Sequence, residues 1–207
     1  MKKHIKLVSM ALIIVLGMLM AGCQPTSTLS SESESETVSE ANDQQDKSVD
    51  PDRPNADTRN GMPKTLSEKD VAPDFTADLL GGGTFKLSDY DDKIVLLNFW
   101  ATWCPPCVGE MPAFEKLKNE GISNLEIICV DCMEDKDTVK KFINEKGYTF
   151  NVGYDTDGRI GAYYPTDGIP YTLVINKGKI YKTYVGAYGA DEQYTEYKKA
   201  IEECMGK

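Results

Sequence analysis

Apolar positions along this chain change character near residue 66. Beyond that point their spacing switches between a period of two and a period near 3.6, the signals of strand and helix. Phe75, Ala77 and Leu79 alternate with polar residues, Gly81-Gly82-Gly83 follows, and then come Phe85 and Leu87. This predicts strand, turn and strand. Residues 93–100 are a nearly continuous apolar run, as expected of a strand buried on both faces. Val108, Met111, Phe114 and Leu117 then recur at helical offsets. Residues 125–130 read as a second buried strand, and 135–146 as a helix carrying Val139, Phe142 and Ile143. A short strand over 150–154 and a small helix over 158–164 come next. Strands at 171–175 and 179–185 flank Asn176-Lys177-Gly178, which reads as a hairpin turn. Residues 191–205 close the chain as a helix. This order predicts an α/β fold whose central sheet has parallel crossovers and an antiparallel end.

The first 65 residues carry no such periodicity. Lys2, Lys3 and Lys6 precede an apolar stretch over 7–20, broken by Ser9 and Gly17. It is short for a membrane span of about 20 residues and fits the core of a signal peptide. It ends in Met20-Ala21-Gly22-Cys23, which resembles a bacterial lipobox. The first 22 residues are therefore expected to be a lipoprotein signal and Cys23 the acylated residue. The rivals are an ordinary signal peptide or an uncleaved anchor helix. Residues 23–65 are rich in Ser, Glu, Asp and Pro, with almost no large apolar side chain. Such a composition cannot offset ordering entropy, so a disordered tether is expected. A partner-binding acidic segment is the sharper alternative. The domain proper is then 66–207.

Charge and cysteine usage narrow the chemistry. The 207 residues carry a formal charge of -10, which argues against nucleic acid as a partner. The same charge disfavours anionic lipid surfaces, so membrane attachment has to come from the lipid anchor. His4, the single histidine, lies in the predicted signal, which removes catalytic sites built on a Cys–His or Ser–His pair.

Of the six cysteines, five remain to be placed besides Cys23. Cys104 and Cys107 form a C-x-x-C where a buried strand passes into a helix. A cysteine at a helix N-terminus meets unpaired N–H groups and the positive end of the helix dipole, which favour a thiolate. A second cysteine one turn on can close an internal disulfide. Pro106 takes an early helical position, where a missing N–H costs little. Trp100 and Trp103 are expected to cover the site. The plainer readings are a structural disulfide, or half of a zinc site completed by Cys129 and Cys132. Against zinc stand the strand-to-helix setting and the absence of knuckle glycines. No metal is expected.

The segment NFWATWCPPCVGEMP resembles the active-site segment of TlpA/ResA-type members of the thioredoxin superfamily, which are related to AhpC/TSA redoxins. APDF, LSDY and GIPYTLVIN extend the resemblance over residues 70–205. It implies a thioredoxin-like fold: a central mixed sheet flanked by helices, with an N-terminal β-hairpin extension. It implies thiol–disulfide exchange with Cys104 attacking, Cys107 resolving and a redox-active disulfide between them. It further implies a cis Ile169–Pro170 peptide facing the pair, with Trp103, Pro105 and Pro106 in support. Glu110, three residues after the second cysteine, matches a glutamate of this family and would relay the proton that thiol attack requires. Its plain alternative is a solvated first-turn glutamate. Asn98 stands where ordinary thioredoxins bury an acid. No cofactor is implied. The expected partners are disulfide-containing exported proteins as substrate and a membrane thiol carrier as electron donor. The expected state is a monomer, lipid-anchored on the extracytoplasmic face of the bacterial cell membrane. A peroxiredoxin-like peroxidase and a non-catalytic tethered binding domain remain the alternatives.

Cys129 and Cys132 are the unusual remainder. On a continuous strand, residues three apart lie about 10 Å apart and face opposite sides, too far for a disulfide. Either both are buried free thiols or Cys132 is an auxiliary thiol. Cys204 falls on the last helix with no assigned role.

Overall fold

The computed structural model describes residues 65–207. The predicted signal peptide, Cys23 and almost all of the predicted tether lie outside the described residues. Among the described residues no helix is long and apolar enough to cross a membrane.

The elements follow the predicted order. They are β1 (Thr76–Leu79), β2 (Thr84–Lys86), a 3-10 turn (Leu87–Tyr90), β3 (Ile94–Trp100), α1 (Pro105–Asn119), β4 (Leu125–Cys132), α2 (Lys136–Lys146), β5 (Asn151–Asp155), α3 (Arg159–Tyr163), β6 (Tyr171–Asn176), β7 (Lys179–Val185) and α4 (Ala190–Cys204). The seven strands form one sheet in the order β2-β1-β5-β4-β3-β6-β7. β3, β4 and β5 run parallel. The hairpin β1–β2 and the pair β6–β7 are antiparallel additions at the two edges. This is the thioredoxin-like arrangement with an N-terminal hairpin.

Burial explains the centre. Every residue of β3 is buried, because α1, α2 and α4 cover one face and α3 with the 3-10 turn covers the other. The first face packs Leu96, Trp100, Met111, Phe114, Val139, Ile143, Tyr197 and Ile201 together. The second packs Val95, Leu97, Phe99, Ile128, Ile160 and Tyr164. Trp100 therefore differs from its expected role as a cover for the cysteines. It points from β3 into the first core and lies beside Phe142.

Local chemistry sets the boundaries. Asp135 caps α2 by accepting the Thr138 N–H at 2.8 Å. Gly147 ends α2 in the left-handed region at φ 72°. The β6–β7 turn places Lys177 and Gly178 at φ 53° and 69°, the pair of positive angles that a two-residue hairpin needs. Gly153 of β5 has a different reason. A Cβ there would come within 3.0 Å of the Ala77 Cβ, so its small size lets the hairpin dock on the parallel core.

Candidate active site

The strand-to-helix junction places the cysteines. β3 ends at Trp100, residues 101–104 turn, and Cys104 becomes the N-cap of α1, with Pro105 and Pro106 filling the first two helical positions. Proline fits there because those N–H groups have no helical partner. The Cys107 N–H points at the Cys104 sulfur at 3.3 Å, so one orphan donor of the helix faces the first cysteine. The two cysteines form a disulfide with Sγ atoms 2.00 Å apart. Both are shielded, Cys104 at 4% exposure and Cys107 at 0%. The Ile169–Pro170 peptide is cis, and the Ile169 carbonyl oxygen lies 3.8 Å from the Cys104 sulfur. Trp103 stands 67% exposed next to Cys104, so it borders the site instead of burying it.

Glu110 is fully buried, which overturns the plain alternative of a solvated glutamate. Its two oxygens are each engaged. One accepts the Asn98 amide at 2.9 Å and the other accepts the Tyr197 hydroxyl at 2.6 Å. Asn98 also donates to Thr172 Oγ1 at 2.9 Å, and Gln193 donates to the Tyr197 hydroxyl at 2.8 Å. Tyr197 reaches this point because α4 buries Gln193, Tyr197, Ala200 and Ile201, a helical stripe, and because its ring stacks on Phe114 of α1 at 5.5 Å. Burial lifts the Glu110 carboxyl to about 7, against the opposing pull of the hydrogen bonds from Tyr197 and Asn98. A carboxyl poised there can take or give a proton at neutral pH.

Tyr197, Thr172 and Gln193 carry no sequence signal that places them in the site, and Asn98 reads along the chain only as a missing acid. The one available signal was the apolar stripe of α4, which shows a buried face without showing what it touches.

Among the described residues, Cys129, Cys132 and Cys204 are free. β4 runs straight through Cys129 and Cys132. Cys129 falls in the core under α1, and Cys132 packs against the opposite core. Burial and the neighbouring Glu110 push the Cys129 thiol well up. Burial, with Asp131 and Asp155 beside it, pushes Cys132 up to about 12. Such a thiol stays protonated and is a poor nucleophile, which argues against Cys132 as an auxiliary thiol. Cys204 is raised to about 11, chiefly by burial. Among the described residues no three His, Cys, Asp or Glu side chains converge as metal ligands. The described buried side-chain atoms without a hydrogen-bond partner are Asn98 Oδ1, Trp100 Nε1 and Asp131 Oδ2.

Comparison with known proteins places this geometry. The AhpC/TSA family model matches residues 69–183. The chain belongs to the AhpC/TSA family. Within it the chain is of the TlpA/ResA type. Thiol-disulfide oxidoreductase ResA of Bacillus subtilis (strain 168) is 36% identical over 128 residues, covering 59% of this chain and 70% of that one. The Thioredoxin-like protein YneN of the same organism is 38% identical over 134 residues, 59% of this chain and 78% of its own. Among solved structures, the thioredoxin domain of a Bacteroides vulgatus thiol-disulfide oxidoreductase matches with a TM-score of 0.58 and 26% identity, over 66% of this chain and 99% of that one. A thioredoxin family thiol:disulfide interchange protein of Chlorobium tepidum matches with a TM-score of 0.56 at 26% identity, over the same shares. This TlpA/ResA-type protein is a thiol–disulfide oxidoreductase by class.

Proposed function

We propose that this oxidoreductase is lipid-anchored through Cys23 on the extracytoplasmic face of the membrane and reduces disulfides of exported proteins. The observation that carries the reductive chemistry is the Cys104–Cys107 disulfide at the start of α1, with buried Glu110 one turn further along. In the dithiol form, the Cys104 thiolate attacks one sulfur of a substrate disulfide. A mixed disulfide forms and the other substrate sulfur leaves as a thiolate, which takes a proton from water. Glu110 accepts the Cys107 proton, and Cys107 attacks the Cys104 sulfur. The internal disulfide closes and the second substrate thiol is released, taking up the proton. A membrane dithiol carrier then returns two electrons and two protons to the pair. Asn98 and Tyr197 hold the Glu110 carboxyl in place through the cycle.

Reduction of insulin by dithiothreitol, followed by turbidity, tests the exchange: Cys104→Ser is expected to lose all acceleration over the uncatalysed rate. A wild-type protein no faster than that variant would favour the binding-domain alternative. The anchor is tested by mass spectrometry of the mature N-terminus, where an unmodified Cys23 or an intact leader would remove it.

A further inference from the structure

A second acidic arrangement lies at the C-terminal end of β4, and the exchange steps above make no use of it. Thr102 sits two residues before Cys104, in the turn between β3 and α1. Its N–H donates to one oxygen of Glu134 at 2.6 Å, and its hydroxyl donates to the other at 2.5 Å. Both oxygens of Glu134 thus act as acceptors for one residue of the loop that carries the nucleophile. Glu134 is held in turn from behind, since its own N–H donates to Asp131 Oδ1 at 3.2 Å. Asp131 is fully buried and fixed in the sheet opposite Trp100, the last residue of β3. Loop and support therefore grow from adjacent positions on two paired strands.

We propose that Glu134, backed by Asp131, is a positioning residue for Cys104: its clamp on Thr102 keeps the turn in the shape that sets the Cys104 sulfur against the Cys107 N–H. The clamp needs both oxygens of Glu134 free to accept from Thr102. It also needs a neutral neighbour. Asp131 Oδ2 has no hydrogen-bond partner, and the groups facing Asp131 are Glu134, Asp155 of β5, Cys132 and the Tyr154 hydroxyl. Lys136, above the Tyr154 ring, is paired with Asp78 at 2.8 Å. Burial and the Glu134 carboxylate hold Asp131 up at about 8. Below that pH Asp131 is neutral and Thr102 is gripped. Above it a charge appears on Asp131 beside the Glu134 side chain, and the grip loosens. The reactivity of Cys104 thereby acquires an alkaline step separate from the Glu110 step.

This inference rests on Cys104 being the attacking thiol. The test is the rate of iodoacetamide alkylation of the reduced full chain from about pH 5 to about pH 9, with the labelled residue located by peptide mass spectrometry. The ratio of wild-type to Asp131→Asn rates is expected to stay level to about pH 7 and then to fall by roughly threefold or more across about pH 8; a rise there would overturn the clamp. Thr102→Val keeps the Glu134 charge and removes one donor, so it is expected to slow Cys104 roughly threefold or more at neutral pH. That second variant carries the test alone if Asp131→Asn does not fold. A level ratio throughout, or a Thr102→Val rate within about twofold of wild type, would overturn the clamp. Label on Cys107 in place of Cys104 would instead refute the attacker assignment, a failure with a different signature.

Discussion

Glu110 and Asp131 are two buried carboxyls, one on the helix that follows the Cys104 turn and one on the strand beside it, and their surroundings are opposite. Glu110 has a donor at each oxygen, from Asn98 and Tyr197. Asp131 has a backbone donor at one oxygen, no partner at the other, and further carboxylates around it. Burial raises the proton affinity of both. At Glu110 the donors pull it back to about 7. At Asp131 the acidic neighbours push it further, to about 8. Desolvation alone therefore does not decide whether a carboxyl trades protons at neutral pH; the supply of donors does. One environment suits a carboxyl that changes state during turnover, the other a carboxyl that stays neutral.

The comparison can be broken most sharply at Glu110. Glu110→Gln keeps the shape and removes the base, so turnover is expected to fall about 100-fold, and its rise through pH 7 should flatten. Unchanged thiol titration would dismiss the proton relay. Tyr197→Phe sharpens the same side of the contrast. It deletes a donor that lowers the carboxyl's proton affinity, so the activity inflection should move above its starting value near 7. Leaving Glu110 and Gln193 each short of a partner is expected to cost about 1–3 kcal/mol in chemical denaturation.

Asp131 should show itself in stability. Its folded proton affinity is raised above the ordinary 3.8, so the stability gained from holding the proton is complete below that pH. It is lost as pH climbs towards about 8. The difference in Tm between Asp131→Asn and wild type should therefore move in the variant's favour over that window and level off above it. A flat difference would mean Asp131 is ionised throughout. The smallest effect is expected at Cys132→Ala, whose turnover should stay within about twofold of wild type because a thiol held protonated takes no part in exchange.

Much of this architecture could be read along the chain, because β3, the C-x-x-C and α1 are contiguous and each has its own local signal. The apolar run of β3, the prolines after Cys104 and the helical spacing of Met111, Phe114 and Leu117 all agree. What could not be read depends on docking. Tyr197 reaches Glu110 across 87 positions of sequence and Thr102 reaches Glu134 across 32, and no local pattern encodes either meeting. The 3-10 turn at Leu87–Tyr90 was hidden for another reason: Leu87 continues the alternation of β2, so it reads as strand. Trp100 misled in a similar way. Its place beside the motif suggested a cover, but strand alternation from Leu96 and Asn98 sends it inward.

The path by which the chain joins the domain has a spatial consequence. Residues 69–72 run along the start of β7, with the Lys69 N–H donating to the Ile180 carbonyl, the Ile180 N–H to Asp70 and the Ala72 N–H to Gly178. That start pairs with Asn176, which lies opposite Ile94, whereas Tyr171 at the far end of β6 lies opposite Phe99, next to the Cys104 turn. The leading segment and the disulfide thus sit at opposite ends of the central strand, about 20 Å apart at 3.3 Å per residue. An attachment through this leading segment, as the proposed anchor requires, therefore joins the domain at the end away from its disulfide and leaves the approach to Cys104 clear of the point of entry.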